Sequence, residues 1–238
     1  MKNNKSSEPL VSVYIVNHNY GDYLDIAIES VLNQTYDSYE IIFIDNGSTD
    51  SSRKKIEKYY NNKKIKIILQ KNIGLNAANN VALKLARGRY IIRLDADDFF
   101  DKNALEILVS KLEKDESLGM VFSDYYTVDN KGDLIEMYRR HDFSEVELLD
   151  QPAHGACSMV RKEFLLAING YDESYHCQDG WDLWVRFIRN FGISNINLPL
   201  FYYRQHGKNL TKGKKKILAT RAEILKKNAK KKTGINQK

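Results

Sequence analysis

Three carboxylates stand close together in the sequence Asp95-Ala-Asp-Asp98, directly after the largely apolar run YIIRL at residues 90–94. Neighbouring carboxylates repel one another and raise one another's pKa unless a cation lies between them. Oxygen ligands of this type suit a hard divalent ion, Mg²⁺ or Mn²⁺, which completes its shell with phosphate and water. The alternative is an acidic turn that only caps the helix beginning near Lys102, because an Asp-x-Asp triplet alone is common.

A second pair of carboxylates, Asp179 and Asp182, lies in the sequence HCQDGWDLW at residues 176–184, beside the two tryptophans of the chain. Either could remove a proton as a general base. Alternatively, Asp179 is the N-cap of a helix and Asp182 is a first-turn carboxylate that complements the helix dipole. Helical spacing points Asp182 away from the apolar stripe of this helix, toward a cleft or toward water.

The first 124 residues alternate strand and helix patterns, which predicts how these groups are positioned. Apolar runs predict strands at residues 11–16, 40–45, 65–69, 90–94 and 120–123, with amphipathic helices between them. Such repeats imply an α/β fold with a mostly parallel, Rossmann-like sheet flanked by helices. The polar loops NHNYGD, DNGSTD and DADD then meet at the carboxyl ends of the strands, where such sheets bind ligands.

The alternation breaks after about residue 124. The patterns then predict a hairpin at 125–138, a strand at 156–160 with a short helix after it, a helix at 180–191, a short strand at 200–203 and a basic helix at 213–231. The predicted organisation is a flexible N-terminus (1–9), one domain (10–207) with halves 10–124 and 125–207, and a basic helical tail (208–238).

The composition is typical of a soluble protein with one well-buried domain: 238 residues, 42% hydrophobic and 29% charged. No apolar run approaches the roughly 18 residues of a membrane span, and the N-terminus lacks the apolar segment of a signal peptide. We therefore expect a cytoplasmic protein. Cys157 and Cys177 have neither metal-ligand spacing nor a disulfide framework, which predicts two reduced thiols.

Positive charge is concentrated at the C-terminus. The net charge is +6, yet residues 208–238 are rich in Lys and Arg and contain one acidic residue, Glu223, so the preceding chain is acidic. Such a tail can bind an anionic membrane or nucleic acid, or can serve only solubility. Nucleic-acid binding leaves the acidic loops unexplained, because they repel phosphates when no metal is bound, so no nucleic-acid partner is expected.

Six motifs follow one another along the chain: VSVYIVNHNY (11–20), SVLNQT (30–35), IDNGSTD (44–50), NIGLNAANN (72–80), GRYIIRLDADD (88–98) and YRQH (203–206). Together they resemble the inverting family 2 glycosyltransferases with the GT-A nucleotide-sugar-binding fold. The resemblance covers residues 10 to 206, and the ordered set is specific for the family but not for the sugar. It implies that residues 10–124 bind the nucleotide-sugar and that residues 125–207 form the acceptor side.

The resemblance implies transfer of a sugar from a nucleotide-diphospho-sugar, with UDP as the default nucleotide, to a hydroxyl of a glycan or lipid-linked acceptor in cell-surface polysaccharide synthesis. It implies that Asp97 binds Mn²⁺ or Mg²⁺, that Asp95 touches the ribose or the metal's water shell, and that Asp98 orients the others beside the sugar. His206 would complete the metal shell or close over the diphosphate; otherwise it is a surface histidine.

The same resemblance places His18 against the nucleobase and lets Asp45 accept hydrogen bonds from the base or ribose. Two positions depart from the family pattern. Asn46 stands where many relatives have an acidic residue, and Asn79 where they have an arginine, so a charge near the nucleotide is lost. Arg93 lies next to the acidic turn, but strand alternation leaves its direction open.

The family takes its catalytic base from a Glu-Asp pair at a helix start, followed by Leu and Arg, which Leu183 and Arg186 match. An ungapped match puts Gly180 at the base position. A shift of one residue gives the role to Asp179, which we favour over Asp182, and Gly180 frees the backbone to aim it.

Two further side chains are implied on the acceptor side. Trp181 can stack on a sugar ring, and His154 contacts a sugar or makes a structural hydrogen bond. The basic tail would hold the enzyme at the inner face of a membrane as a peripheral protein.

Two other functions compete with this one. A nucleotidyltransferase would have a glycine-rich loop with Lys or Arg after the first strand, and the sequence NHNYGDYL at that place is not such a loop. The other alternative is a non-catalytic protein that binds membrane or nucleic acid through its tail.

Overall fold

A computed structural model gives the structure of the chain and describes residues 9–140, 155–175, 179–207 and 214–229. Its strands are β1 (Val11–Asn17), β2 (Tyr39–Asn46), β3 (Ile65–Gln70), β4 (Tyr90–Asp95), β5 (Phe99–Phe100), β6 (Leu118–Val128), β7 (Leu134–Tyr138), β8 (Met159–Arg161) and β9 (Gly192–Arg204). Its helices are α1 (Leu24–Leu32), α2 (Ser52–Ile56), α3 (Leu75–Leu85), α4 (Ala104–Lys114), α5 (Lys162–Ala167), α6 (Asp179–Phe187) and α7 (Lys214–Ala229), and a 3₁₀ turn covers Glu57–Tyr59.

Within the described residues, the nine strands form one sheet in the order β3-β2-β1-β4-β8-β6-β9-β5, with β7 paired to β6. Strands β3, β2, β1 and β4 are parallel to one another. Around β6 the sheet is mixed, because β7 and β8 run antiparallel to it and β9 runs parallel. The predicted α/β fold with a Rossmann-like parallel half is confirmed, and the mixed pairings are confined to strands from β4 onward.

Both faces of the sheet are covered. Val13 and Ile15 of β1 belong to a core that α1 and α4 complete, whereas Tyr14 points into a second core with α3 and α6. Alternation along a buried strand accounts for the two sides. Each such buried side chain stabilises the fold by about 1.5–3 kcal/mol. Because apolar side chains fill both faces, a ligand must approach the sheet at the ends of its strands.

A short antiparallel pairing joins two distant motifs. Strand β5 follows directly after the acidic turn, and its residues Phe99 and Phe100 lie opposite Tyr202 and Phe201 of β9. The Asp101 N–H also donates to the Leu200 carbonyl oxygen at 2.9 Å. The pairing sets residues 204–206 beside residues 95–98. Strand β9 was predicted at 200–203 and is 13 residues long, since its pairing with β6 extends the strand beyond its apolar part.

The C-terminal helix α7 packs on the domain. Ile224 is fully buried in the second core, Lys227 pairs with Asp172, and Arg189 donates to the Asn228 carbonyl oxygen at 2.8 Å. Residues 214–229 of the predicted tail are therefore a docked helix, while the predicted domain boundary at residue 207 stays a prediction. Among the described residues, no helix is both long and apolar enough to cross a membrane.

Candidate active site

The acidic turn after β4 meets the end of β9. Asp97 Oδ2 and His206 Nε2 lie 2.8 Å apart, and both side chains are largely buried. Asp95 is partly exposed and pairs with Arg93, whose Nε lies 2.8 Å from Asp95 Oδ1. The structure thus brings together the three residues that were predicted to surround a metal, although 109 positions separate Asp97 from His206.

Asp98 lies behind this turn rather than on its surface. It is 1% exposed, and its Oδ1 accepts a hydrogen bond from the Arg204 N–H at 2.8 Å. Burial, and then the charges of Asp97 and Asp95, raise the pKa of Asp98 well above its ordinary value. Its Oδ2 is buried and has no hydrogen-bond partner in the described part of the chain. This position suits the orienting role; contact with a sugar stays a prediction, which the burial disfavours.

Two tyrosines that sequence reasoning missed surround His206. The Tyr23 ring stacks on the imidazole with centroids 5.1 Å apart, and the Tyr20 ring meets it edge-on at 5.7 Å. Burial, and then the charge of Asp97, raise the pKa of Tyr20, so its hydroxyl stays protonated. Both tyrosines lie in the loop NHNYGDYL, whose aromatic residues were the signal that could have found them.

The residues present fit a divalent ion that is held largely by its substrate. Across the described ranges, no three His, Cys, Asp or Glu side chains come close enough together to hold a metal by themselves. Asp97 and His206 nevertheless present an oxygen and a nitrogen side by side, and Asp98 Oδ2 of the same turn is buried without a hydrogen-bond partner among the described residues. Mn²⁺ accepts both ligand types, and Mg²⁺ commonly takes most of its ligands from phosphate and water.

Asp45, at the end of β2, makes its hydrogen bonds within the protein. It is fully buried, and its oxygens accept from Asn17 Nδ2 (3.2 Å), the Ser48 N–H (3.2 Å) and Arg53 Nε (2.9 Å). These contacts join the loop after β1 to the loop after β2. Asp45 therefore shapes the expected nucleotide site, and its direct bond to base or ribose stays a prediction.

Asn46 uses its amide to hold the loop after β3. Its Oδ1 accepts from Gln70 Nε2 at 2.9 Å and from the Ile73 N–H at 3.1 Å. Its Nδ2 lies 3.3 Å from Asn72 Oδ1 and 3.4 Å from the Gly74 carbonyl oxygen. A carboxylate cannot donate to those two oxygens, which gives a local reason for an amide at this departure from the family pattern.

His18 is exposed at the same rim. Its Nδ1 lies 3.0 Å from the Asn46 carbonyl oxygen and its Nε2 lies 3.4 Å from Asn72 Nδ2. A neutral ring with its proton on Nδ1 satisfies both contacts. The ring is thus held in place with part of its surface open, and its stacking on a nucleobase stays a prediction.

Asn79 is fully buried on α3, and neither amide atom has a hydrogen-bond partner among the residues described. An unpaired buried amide costs about 1–3 kcal/mol. Contact of this amide with a nucleotide, which stays a prediction, would require neighbouring side chains to move. Arg93 lies two residues after Ile91 and therefore on the same face of the sheet, the face that α3 covers, where it pairs with Asp95.

Helix α6 begins beside Arg93. A β-carbon added at Gly155 would lie 2.7 Å from Arg93 Nη2, so this glycine packs against the guanidinium. A β-carbon at Gly180 would lie 3.5 Å from the Gly155 Cα, an ordinary contact distance. The start of α6, where Asp179 is the first residue, therefore approaches the Arg93–Asp95 pair. The side chain of Asp179 lies outside what the structure describes.

Asp182 faces neither a cleft nor water, which corrects the expectation from helical spacing. It is 2% exposed, and its Oδ2 accepts from Arg186 Nη2 at 2.6 Å and Nε at 2.9 Å. Arg186 also donates to the carbonyl oxygens of Ile168 and Gly170. The segment after α5 covers this side of α6, which spacing along one helix could not reveal. Asp182 is thus engaged in an ion pair, and its role as base stays a prediction.

Trp181 is 9% exposed, and the Arg221 guanidinium of α7 lies 4.9 Å from its ring centroid. Its Nε1 is buried with no hydrogen-bond partner in the ranges described. Stacking on a sugar stays a prediction and would need a part of the ring that Arg221 does not cover. Trp184 is 1% exposed and belongs to the core. His154 lies outside the described residues.

The model of the family Glycosyl transferase family 2 matches residues 12–168. The chain belongs to this family. The expected enzyme class, a glycosyltransferase, is thereby confirmed. Helix α6, strand β9 and helix α7 follow the matched residues, so the family model covers the acidic turn but neither the predicted base nor His206.

Two curated relatives are similar over most of this chain. The chondroitin synthase of Escherichia coli is 32% identical over 203 residues, which are 84% of this chain and 30% of that protein. The chain thus spans about a third of that relative. The Escherichia coli enzyme UDP-Glc:alpha-D-GlcNAc-diphosphoundecaprenol beta-1,3-glucosyltransferase WfgD is 27% identical over 219 residues, which are 91% of this chain and 85% of that protein.

Solved structures share the fold. S. aureus TarS 1-349 in complex with UDP-GlcNAc superposes with a TM-score of 0.76 at 18% identity, covering 96% of this chain and 68% of that one. The Pyrobaculum calidifontis mannosyltransferase in complex with GDP-Man and Mn²⁺ has a TM-score of 0.67 at 18% identity, covering 97% of this chain and 66% of that one. The GT-A fold is confirmed by these likenesses.

Breaking the buried ion pair between Asp182 and Arg186 should lower the free energy of unfolding much more than breaking an exposed ion pair. Arg186→Met leaves the buried Asp182 charge unpaired, which costs about 3–5 kcal/mol. Lys58→Met removes the exposed Lys58–Asp25 pair and costs about 0–1 kcal/mol. Urea unfolding at pH 7 measures both free energies of unfolding. Equal costs for the two variants would show that the Asp182–Arg186 pair has no structural role.

Proposed function

We propose that this chain is a metal-dependent, inverting glycosyltransferase that moves a sugar from a UDP-sugar to a hydroxyl of a glycan or lipid-linked acceptor in cell-surface polysaccharide synthesis. The observation that carries the proposal is the contact between Asp97 and His206. It joins an acidic turn at a strand end to a histidine from the far end of the domain. Such an arrangement suits a diphosphate and its cation better than it suits a structural turn.

The donor side is built from loops that are already ordered by their own contacts. Asp45 and Asn46 hold the loops after β1, β2 and β3 together, so the rim around His18 is formed in advance. A pre-formed rim lowers the ordering cost of binding a nucleotide. UDP is the nucleotide we propose, because the glucosyltransferase relative is named as a UDP-Glc enzyme and TarS was solved in complex with UDP-GlcNAc.

Asp97 and His206 would hold the Mn²⁺ or Mg²⁺, and Asp95 would hold its water shell or the ribose. When bound, the ion supplies positive charge to the two phosphates and stabilises the leaving nucleotide diphosphate. The complex of the mannosyltransferase with Mn²⁺ supports a divalent ion for this fold. Asp98 fixes the turn from behind through the Arg204 N–H.

The acceptor hydroxyl must lose a proton as its oxygen attacks the anomeric carbon from the face opposite the leaving group. We propose that Asp179 is the base that accepts this proton. Its main chain starts α6 next to Gly155 and the Arg93–Asp95 pair, whereas the Asp182 carboxylate is engaged by Arg186. A helix N-terminus also favours the ionised form of a carboxylate, which keeps Asp179 ready to accept a proton.

The proposed acceptor lies at a membrane surface, which the outer side of α7 would contact. Leu218 and Leu225 of this helix are exposed, and lysines are frequent from residue 208 to the end of the chain. Lysines attract anionic lipid and leucines insert at its boundary. The diphosphoundecaprenol in the name of the glucosyltransferase relative supports a lipid-linked acceptor.

The enzyme proposal predicts stabilisation by donor together with metal. A UDP-sugar at about 100 times its Kd adds about 2.7 kcal/mol, or roughly 5–10 °C in Tm for a chain of this size. Asp97→Asn should lose the part of the shift that depends on Mn²⁺, while the exposed control Asp37→Asn should keep it. If no nucleotide-sugar stabilises the protein in Mn²⁺ or Mg²⁺, the proposal is wrong; a response to GDP-sugars alone would correct only the nucleotide.

The base assignment predicts a specific rescue. With saturating donor, Asp179→Asn should lower kcat by about 10²–10⁴-fold. Because a β-carbon at position 180 has room, Gly180→Asp in the Asp179→Asn background should restore at least part of this loss. Asp182→Asn, assayed below its Tm, should keep most of its kcat. Wild-type kcat in Asp179→Asn would exclude it as the base.

The membrane contact predicts binding to vesicles that contain anionic lipid but not to neutral ones, and release of the protein at high salt. Each lysine near the surface contributes about 1 kcal/mol, or roughly fivefold in affinity. Lys226→Glu, on the exposed side of α7, should weaken sedimentation with the vesicles more than Lys54→Glu, an exposed change on α2. Equal binding to neutral and anionic vesicles would contradict this contact.

A further inference from the structure

Arg204, the last residue of β9, joins two turns. It is 1% exposed, and its Nε donates to the Asp97 carbonyl oxygen at 2.9 Å. Its Nη1 donates to the carbonyl oxygens of Asp129 and Asn130 at 3.1 and 3.0 Å. One buried guanidinium therefore fixes the main chain of the acidic turn and the turn between β6 and β7.

Tyr23 contacts the same guanidinium and His206. Arg204 Cζ lies 4.9 Å from the Tyr23 ring centroid, and the His206 ring stacks on Tyr23 at 25°. The Tyr23 hydroxyl donates to Asn130 Oδ1, so the ring is anchored at its far end. Tyr23 thus has contacts that set both the position and the plane of the imidazole.

His206 needs such support because it lies just beyond the last residue of β9. The Gln205 N–H, which donates to the Val128 carbonyl oxygen at 2.8 Å, fixes the main chain but not the rotation of the next side chain. The rotation decides whether Nε2 faces Asp97. Groups that orient a metal-binding histidine commonly affect metal affinity by about 10–100-fold.

We propose that Tyr23 and Arg204 are positioning residues that hold His206 Nε2 and Asp97 Oδ2 together for the divalent ion. The inference rests on the proposed metal-dependent function. Tyr23 acts on the ring of His206, and Arg204 acts on the main chain of Asp97. Because both also contact the turn at Asp129 and Asn130, the position of the β6–β7 hairpin is coupled to the metal site.

The test is a double-mutant cycle read by Mn²⁺ affinity in saturating UDP, for example by electron paramagnetic resonance of free Mn²⁺. Tyr23→Leu should weaken Mn²⁺ binding about 10-fold or more, and His206→Ala at least as much. If Tyr23 acts through His206, adding Tyr23→Leu to His206→Ala should change the affinity by less than about twofold. Tyr23→Phe keeps the ring and should stay within about threefold of wild type.

Controls separate positioning from general damage. Tyr60→Leu removes an exposed ring away from the site and should leave Mn²⁺ affinity unchanged. UDP binding without metal should change less than twofold in Tyr23→Leu. If Tyr23→Leu does not fold, Arg204→Lys, which keeps the charge but loses the fork of donors, replaces it in the same cycle with Asp97→Asn.

Additive losses in the cycle, or wild-type Mn²⁺ affinity in Tyr23→Leu, would overturn the positioning role while leaving the proposed function intact. Equal losses of UDP binding with and without metal would also overturn it. Absence of any Mn²⁺-dependent UDP binding by the wild-type protein would instead overturn the proposed function, and the positioning role with it.

Discussion

The pairing of β5 with β9 is the constraint on which the site depends. Two residues of β5 and two of β9 fix the register, and this register brings residues 204–206 next to the acidic turn. The carboxylates of the turn repel one another, and burial raises the pKa of Asp98 further. Such a turn is costly without compensation. Arg93 of β4 pairs with Asp95, whereas the groups that contact Asp98 and Asp97, the Arg204 N–H and the His206 ring, both belong to the end of β9.

The polar residues at the rim divide into those that build the site and those that remain open to a ligand. Asp45, Asn46 and Asp98 are nearly or fully buried and hold main-chain groups of neighbouring loops. His18 and Asp95 keep exposed surface. A rim whose shape is fixed by buried bonds needs few further contacts to bind a ligand, because little ordering is left to occur on binding.

The parallel half of the fold was predictable because its signals are local. Strand runs and helical spacing predicted the parallel strands and the polar loops at their ends, and the six ordered motifs indicated the family. The rest depends on contacts between distant segments. No local pattern shows that Arg186 holds Asp182, that Arg204 reaches Asp129, or that β9 extends along β6. Tyr23 was missed because its loop was judged by polarity alone.

The start of α6 shows how sequence and structure together narrow a departure from a family pattern. If packing excluded a side chain at Gly180, its glycine would be a structural requirement. The space around Gly180 admits a β-carbon, so packing at that atom does not explain why a glycine replaces the carboxylate of the family pattern. Asp182, the other acid of the segment, is occupied by Arg186. Under the proposed mechanism, Asp179, one residue before the usual position of the base, accepts the proton of the acceptor hydroxyl. The first N–H groups of a helix have no hydrogen-bond partner within the helix, so its first residue can adjust its main chain. A carboxylate one residue earlier in the sequence can therefore reach nearly the same place.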